Sequence, residues 1–467
     1  MRIALVALSS ILLCAGSTLA QQVGDRIVVT ADNGQLKSEN DIVGRVPKGN
    51  ILVVKDVQGD WFWVAWSSGK VTTKGWINQR DVIAFEKALD FFNDELKKNP
   101  SARLFNIRGM FWTERRKYDV ALADYNEAIR LDPKHAATWN NRGVVWNDKG
   151  EYDKAIADCD QAIRLDPRLT WAYTNRGNAY KDKGDFGRAI SDYSEAIRLD
   201  PQYADPYANR GNAWYFKSDY DKAIADYNKF IRLEPERAFA YVGRAAAWIR
   251  KREYDKAIAD CDEAIALDPN DATAYSNRGL ALRSQGEYDR AIADCTEAIR
   301  LDPNLGWAYA NRGNAWLKKG EFDEAIADCS EAIRIDPKDA TAFCNRGVAW
   351  RKKGDYEKAM ADDKEALRLD PSDVYSQNVL ASLLATCPDA KFRNGKRAVD
   401  LATKACEMTA WKDGGMIDTL AAAYAEAGDF ENAVKWQTKA WEFAPETKKE
   451  DCRSRLALYK SGEAYRQ

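Results

Sequence analysis

The chain has 467 residues, of which 70 are lysine or arginine and 72 are aspartate or glutamate, so its formal net charge at pH 7 is −2. A nearly neutral chain lacks the basic surface that a nucleic-acid-binding protein usually shows, and we expect no nucleic-acid partner. The single histidine, His135, leaves almost no material for a Ser-His-Asp or Cys-His centre or a multi-histidine metal site. We therefore expect no enzyme, no catalytic residue, no bound metal and no cofactor.

The first twenty residues have the three-part layout of a secretory signal peptide. A positively charged start is followed by a mostly apolar run over 3–15 and by small residues, with cleavage predicted after Ala20. The run is shorter than the ~20 apolar residues of a membrane helix, and Cys14 leaves a lipid anchor as the alternative. We expect an exported protein, periplasmic or secreted, with signal peptide 1–20 and no membrane span in the mature chain.

Residues 21–83 have the pattern of a small all-β module. Runs of β-branched residues at 27–29 and 51–54 alternate with glycines, which is typical of short strands joined by turns. The stretches Val46-Pro47-Lys48-Gly49, Gly59-Asp60-Trp61-Phe62-Trp63-Val64 and Gly75-Trp76-Ile77 resemble the bacterial SH3-like barrels. That resemblance implies an envelope protein and a module able to contact peptidoglycan or other wall material.

Three tryptophans of this module have two interpretations. Trp61, Trp63 and Trp76 pack the inside of the barrel, or they form a ligand-stacking surface.

Proline recurs every 34 residues through the rest of the chain, at Pro133, Pro167, Pro201, Pro235, Pro269, Pro303, Pro337 and Pro371. Within residues 136–169 the apolar positions follow two helical stripes, separated by Gly150 and ended before Pro167. A period of 34 residues is the length of a helix–turn–helix repeat, whose apolar faces are buried only when neighbours stack.

The repeated motif W-N-N-R-G-V-V-W, followed by G-E-Y-D-K-A-I-A-D-C and A-I-R-L-D-P, resembles the tetratricopeptide repeat (TPR) consensus. The resemblance implies a mainly α fold, a right-handed α-solenoid of about ten TPR units behind the small SH3-like barrel. The predicted divisions are a half-repeat connecting helix at 84–101, eight strict units at 102–373, two irregular units at 374–445, and a capping helix and tail at 446–467.

Each strict unit carries an arginine just before the glycine position of its first helix, from Arg108 to Arg346, and an aspartate sixteen residues later, from Asp124 to Asp362. An arginine between helices needs a carboxylate partner. We predict a structural arginine–aspartate ladder.

Asparagines on the same first helices are the candidate peptide-binding residues. In TPR proteins their position faces the concave groove, and an amide can donate to and accept from the backbone of an extended peptide. The alternative is that these amides bond to neighbouring groups or face water. The candidates are Asn141, Asn175, Asn178, Asn209, Asn212, Asn277, Asn311, Asn314 and Asn345.

The cysteines have no pattern of a dense disulfide framework. Cys261, Cys295 and Cys329 share one repeat position, where stacked helices ~10 Å apart are too distant for a disulfide, so we predict buried free thiols. Cys387 and Cys406 fall on opposite helices of the ninth unit, and the sequence leaves open whether they form a disulfide.

These observations favour a non-enzymatic protein–protein interaction scaffold of the bacterial envelope that binds an extended peptide segment in its groove. The alternative is a structural assembly or anchoring component of the cell envelope, with the SH3-like domain contacting wall material.

Overall fold

The structure is a computed structural model that describes residues 24–38, 41–47, 50–68 and 71–466. The predicted signal peptide, including Cys14, lies outside the described residues. Contacts divide the chain into two compact units, Met1–Asn209 and Arg210–Gln467.

A seven-stranded antiparallel sheet occupies the N-terminal part of the first unit, in the order β3-β2-β6-β5-β4-β1-β7. Alternate residues such as Leu36, Val54, Phe62, Val64 and Ile77 are buried on one side and form its core. The strands are β1 Arg26–Val29, β2 Asn33–Ser38, β3 Asp41–Pro47, β4 Ile51–Gln58, β5 Trp61–Ser68, β6 Val71–Asn78 and β7 Val82–Ala84.

Twenty-two α-helices follow in the described part of the chain, so the predicted fold class, a small antiparallel β sheet followed by a helical solenoid, is confirmed. Their bounds are α1 Leu89–Lys98, α2 Ala102–Glu114, α3 Tyr118–Leu131, α4 Ala136–Asp148, α5 Tyr152–Leu165, α6 Thr170–Asp182, α7 Phe186–Leu199, α8 Asp205–Phe216, α9 Tyr220–Leu233, α10 Ala238–Arg250, α11 Tyr254–Leu267, α12 Ala272–Gln285, α13 Tyr288–Leu301, α14 Gly306–Lys319, α15 Phe322–Ile335, α16 Ala340–Lys352, α17 Tyr356–Leu369, α18 Val374–Thr386, α19 Gly395–Met408, α20 Gly414–Glu426, α21 Phe430–Phe443 and α22 Glu446–Lys460. No described helix is both long enough and apolar enough to cross a bilayer.

In seven of the eight strict units a first-helix glycine meets a side chain of the second helix, and the fifth unit has Ala245 at that position. A Cβ placed on Gly177 would lie 2.7 Å from the Tyr193 ring, and one on Gly313 would lie 2.9 Å from the Cys329 sulfur. Because these contacts leave no room for a methyl group, the glycine sets how closely the two helices approach.

The β sheet of the first unit is packed onto the first repeat. Phe85, Phe92 and Phe111 are buried together with edge-to-face rings, and Val28 of β1 joins the same cluster. Arg26 lies 4.2 Å from the centre of the Phe85 ring and is ion-paired with Glu114 at the end of α2. The sheet therefore covers the apolar end that the first repeat would otherwise expose.

The second unit ends in a closing helix. Tyr459 of α22 is 1% exposed, and Arg455 of the same helix is ion-paired with Asp418.

The eight cysteines of the described residues, from Cys159 to Cys452, are buried free thiols, as predicted for Cys261, Cys295 and Cys329. Cys387 and Cys406 are likewise not joined in the structure.

We predict that Gly177→Ala lowers the free energy of unfolding by about 1–3 kcal/mol, because the new methyl group overlaps the Tyr193 ring. Gly187→Ala is the matched control, since Gly187 is exposed in α7 and its nearest contact would be an ordinary 3.6 Å. That variant should be neutral or more stable by up to about 1 kcal/mol. Urea unfolding followed by circular dichroism measures both, and equal midpoints would contradict the packing argument.

Candidate peptide-binding face

The first helices of neighbouring repeats contact one another within each unit: α2, α4 and α6 in the first unit and α10, α12, α14, α16 and α18 in the second. Within each unit these helices lie side by side and form a surface that we call the first-helix face of that unit. The candidate asparagines belong to these helices and to α8.

The arginine–aspartate ladder is confirmed. In all eight strict units the guanidinium donates two hydrogen bonds of 2.5–2.8 Å to the aspartate of the second helix, in Arg108–Asp124, Arg142–Asp158, Arg176–Asp192, Arg210–Asp226, Arg244–Asp260, Arg278–Asp294, Arg312–Asp328 and Arg346–Asp362. This fork geometry is the strongest form of the ion pair. The hydrogen bonds that Arg312 donates to Asp328 raise the pKa of Arg312, although burial lowers it.

The ladder also joins consecutive repeats. The remaining guanidinium nitrogen donates at 2.5–3.1 Å to a polar side chain on the second helix of the preceding repeat, in Arg108–Asn93, Arg142–Asn126, Arg176–Asp160, Arg244–Asn228, Arg278–Asp262, Arg312–Thr296 and Arg346–Ser330. Each of these arginines therefore fixes three helices with one side chain. The sequence spacing predicted the pair within a repeat, but not this third bond.

Several candidate asparagines bond across neighbouring first helices. Asn141 donates to Asn106 at 3.1 Å, and Asn175 donates to Asn140 at 2.9 Å. In the second unit Asn311 donates to Ser276 at 3.4 Å and Asn314 donates to Asn345 at 2.9 Å. An amide has two N–H donors and two acceptor lone pairs, so Asn141, Asn175, Asn311 and Asn314, which are half-buried, keep free capacity on the face.

Three other candidates have mainly internal roles. Asn178 accepts a hydrogen bond from the buried Tyr193 hydroxyl at 2.8 Å, and Asn212 accepts one from Tyr227 at 2.6 Å. Asn345 is 2% exposed, so in this structure its amide is not open to a ligand. This difference is not visible in the amino-acid sequence, because it depends on the tyrosine or neighbouring helix opposite each amide.

Asn209 and Asn277 differ from the others. Both are half-buried, and Asn277 makes no side-chain hydrogen bond to another described residue, nor does Asn209 within its own unit. Asn277 lines a cavity of about 550 Å³ on the first-helix face of the second unit. These two amides are the most available for a ligand.

The tryptophans of the β sheet lie on the side opposite its core. Trp63 and Trp76 are paired across β5 and β6 with ring centres 5.2 Å apart, while Phe62 and Ile77 on the other side of the same strands are buried. Trp61 is half-buried beside Lys37, whose ammonium is 5.4 Å from the ring centre. These three tryptophans therefore do not pack into the buried core of the sheet.

Family models described as tetratricopeptide repeat or TPR repeat match the chain over more than half its length, at residues 114–169, 177–217, 209–272, 272–305, 306–339 and 340–373. The chain belongs to the tetratricopeptide repeat family. Proteins of this family are generally protein–protein interaction scaffolds.

Several solved structures are similar to this chain, and one of them has a TM-score above 0.5. The APC/C hetero-tetramer Cut9-Hcn1 aligns over 76% of each chain with a TM-score of 0.51 and 15% identity. A tetratricopeptide repeat protein from Parabacteroides merdae ATCC 43184 has a TM-score of 0.44 and 18% identity, over 56% of this chain and 99% of its own. YrrB, titled a TPR protein with an unusual peptide-binding site, has a TM-score of 0.31 and 25% identity, over 39% of this chain and 95% of its own. A search of curated proteins gives no significant match.

The last strict TPR unit departs from the others in its core. Its second helix carries Asp363 where the other units carry tyrosine or cysteine, and this carboxylate is 1% exposed. Neither of its oxygens has a hydrogen-bond partner among the described residues, nor do the buried Nε and Nη1 of Arg351. Burial raises the pKa of Asp363 to about 7, although the Arg351 charge lowers it. Sequence analysis missed this residue, although the break in the tyrosine–cysteine row was a readable signal.

We predict that Arg312→Ala lowers the free energy of unfolding by about 3 kcal/mol, because it leaves Asp328 buried without its partner. Arg300→Ala is the control: Arg300 has the same bidentate geometry with Glu297, but its side chain is 65% exposed, and exposed pairs contribute about 0–1 kcal/mol. Thermal and urea unfolding measure the stability of both variants. Equal losses of stability would contradict a stabilising role for the arginine–aspartate ladder.

A second prediction concerns pH. The Asp363 carboxyl has a folded pKa of about 7 against 3.8 for the free group, so between pH 4 and 7 the folded chain binds more protons than the unfolded one. Stability therefore falls as pH rises through this window, by roughly 4 kcal/mol in all. Asp363→Asn should remove the fall, leaving a variant that gains on the wild type with each step from pH 4 to pH 7. Unfolding measured at several pH values checks this. If the difference in unfolding free energy between variant and wild type is the same at every pH from 4 to 7, the prediction is wrong.

Proposed function

We propose that this protein is a non-enzymatic scaffold that binds an extended segment of another protein on its first-helix face, and that it does so in the bacterial envelope. The amide of Asn277 carries this proposal, since it lies on the first-helix face of the second unit without a side-chain hydrogen bond to another described residue. Asn209 of α8 is the corresponding amide at the end of the first unit. An amide that is not needed for the fold can pair with both the N–H and the C=O of a peptide backbone.

The ladder supports the same proposal. Because Asn277 directly precedes Arg278 in α12, the Arg278–Asp294 pair fixes the stretch of helix that carries the amide. A preorganised surface loses less conformational entropy on binding than a mobile one. The face is thus suited to hold an extended chain rather than to catalyse a reaction.

The second candidate function is structural, an anchoring component whose β module contacts wall material. The Trp63–Trp76 pair on the outer side of the sheet favours it, because half-exposed aromatic rings can stack on a ligand. Binding of purified peptidoglycan by the wild type but not by Trp63→Ala is the test of this alternative, and equal binding by both would reject it.

The main proposal is tested with Asn209→Ala combined with Asn277→Ala. We expect peptides selected from a random dodecapeptide library on the wild-type protein to bind the double variant more weakly. Each lost hydrogen bond of about 1 kcal/mol corresponds to roughly fivefold in affinity. Fluorescence anisotropy with labelled peptides measures the dissociation constants.

Asn304→Ala is the control, because Asn304 is an exposed asparagine in the turn before α14 and away from the first-helix face. Its affinity should equal that of the wild type. A library that yields no binding peptide, or selected peptides that bind the double variant as tightly as the wild type, would reject the proposal.

A further inference from the structure

The cavity that contains Asn277 is a cationic pocket without an internal counter-charge. Arg250 of α10, Arg252 of the turn that follows and Arg283 of α12 line it, and none of its lining residues is acidic. No described carboxylate forms an ion pair with any of the three; the one hydrogen bond among them runs from Arg250 Nε to the Tyr220 hydroxyl at 3.1 Å. This contrasts with the ladder arginines, each of which has an aspartate partner.

The pocket also has an apolar wall. Tyr215, Tyr220 and Tyr254 line it beside Leu280, and the rings of Tyr215 and Tyr220 meet edge to face with centres 5.6 Å apart. A volume of about 550 Å³ holds one or two amino-acid side chains. A ligand that combines negative charge with apolar surface would match this lining and could reach the Asn277 amide.

Arg252 occupies a turn position that is glycine in five of the eight strict units and Arg116 or Ser218 in two others. Arg252 has φ = +62°, a left-handed conformation that glycine adopts at the same turn in other repeats, including Gly286 and Gly320. A non-glycine residue is strained there, so glycine would serve the fold better. The Arg252 side chain lines the pocket.

The Arg283 side chain of the pocket is half-buried. Desolvation lowers the pKa of its guanidinium; the thiol of Cys295 and nearby tyrosines oppose this shift, and no carboxylate is among the opposing groups. An anion entering the pocket would relieve this cost, and a guanidinium pairs with a carboxylate through two parallel hydrogen bonds.

We propose that this pocket binds acidic side chains, aspartate or glutamate, of the extended segment held by the first-helix face, with Arg250, Arg252 and Arg283 as the carboxylate-binding residues. The inference rests on the proposed function and adds its specificity. It assigns the partner's chemical class: an acidic peptide that also carries an aromatic or aliphatic residue beside its carboxylates.

The test uses the full mature chain and three labelled dodecapeptide pools. The pools are random except at two central positions, which hold Asp-Glu, Asn-Gln or a pair of phosphoserines. We expect the Asp-Glu pool to bind at least tenfold more tightly than the Asn-Gln pool at 150 mM salt, with the difference shrinking at 500 mM.

Arg283→Gln and Arg250→Gln should each remove most of that tenfold preference and leave the Asn-Gln pool unaffected. Arg250 is exposed and bonds only to Tyr220, so its variant keeps the test valid if Arg283→Gln fails to fold. Arg300→Gln removes the same charge from an exposed second-helix site and should retain the preference.

Arg252→Gly should weaken acidic binding about threefold while raising the thermal midpoint. Arg116→Gly is its matched control, because Arg116 has φ = +55° at the equivalent turn of the first repeat. That variant should gain the same thermal stability with no change in binding.

The outcomes separate the two proposals. If peptides bind through Asn209 and Asn277 but the Asp-Glu and Asn-Gln pools are equal, or the arginine variants keep the preference, the acidic pocket is overturned and the peptide-binding face stands. Preference for the phosphoserine pool alone would also overturn the carboxylate assignment. If no pool binds at all, the proposed function itself fails.

Discussion

A guanidinium held between two helices by a bidentate aspartate is the interaction on which the helical array depends. The aspartate side chain of the pair is almost inaccessible to solvent. In most units the arginine donates a third hydrogen bond to the preceding repeat. Removing either partner strands a buried charge, so the pair sets the geometry within a repeat and the step from one repeat to the next. Glycine at the next position adds the steric half of the same constraint, because it lets the helices close on a tyrosine ring or a cysteine sulfur.

The arginine–aspartate pairs also hold in place the first helices that form the first-helix face. An asparagine precedes six of the eight ladder arginines, and the ion pair fixes the stretch of helix that carries it. Part of the amide row is then used internally, by bonds such as Asn175–Asn140 or Tyr193–Asn178. Other polar groups take no part in these internal bonds. They are the amides of Asn209 and Asn277 and three arginines around one cavity that face no carboxylate. Groups left unpaired beside so many paired ones are where a partner is expected.

The two ends of the protein show how such an array is closed. In the first unit a β sheet supplies Val28 and the loop residue Phe85 to cover the first repeat, and Arg26 joins the two parts through Glu114. In the second unit α22 brings Tyr459 against the last repeat and Arg455 against Asp418. Glu114 at the end of α2 is therefore used to attach the sheet to the first repeat.

The 34-residue period by itself determined the helices, the glycine contacts, the arginine–aspartate pairs and the buried thiols, because each depends on residues of one repeat at fixed helical spacing. Tertiary structure alone decided which asparagines remain available, since that depends on the side chain opposite, a tyrosine for Asn178 and a neighbouring helix for Asn345. It also placed Trp63 and Trp76 on the outer side of the sheet, and it brought Arg250, Arg252 and Arg283 together from consecutive repeats. Local pattern specifies what repeats; the exceptions that carry specificity arise from how unlike residues meet between repeats.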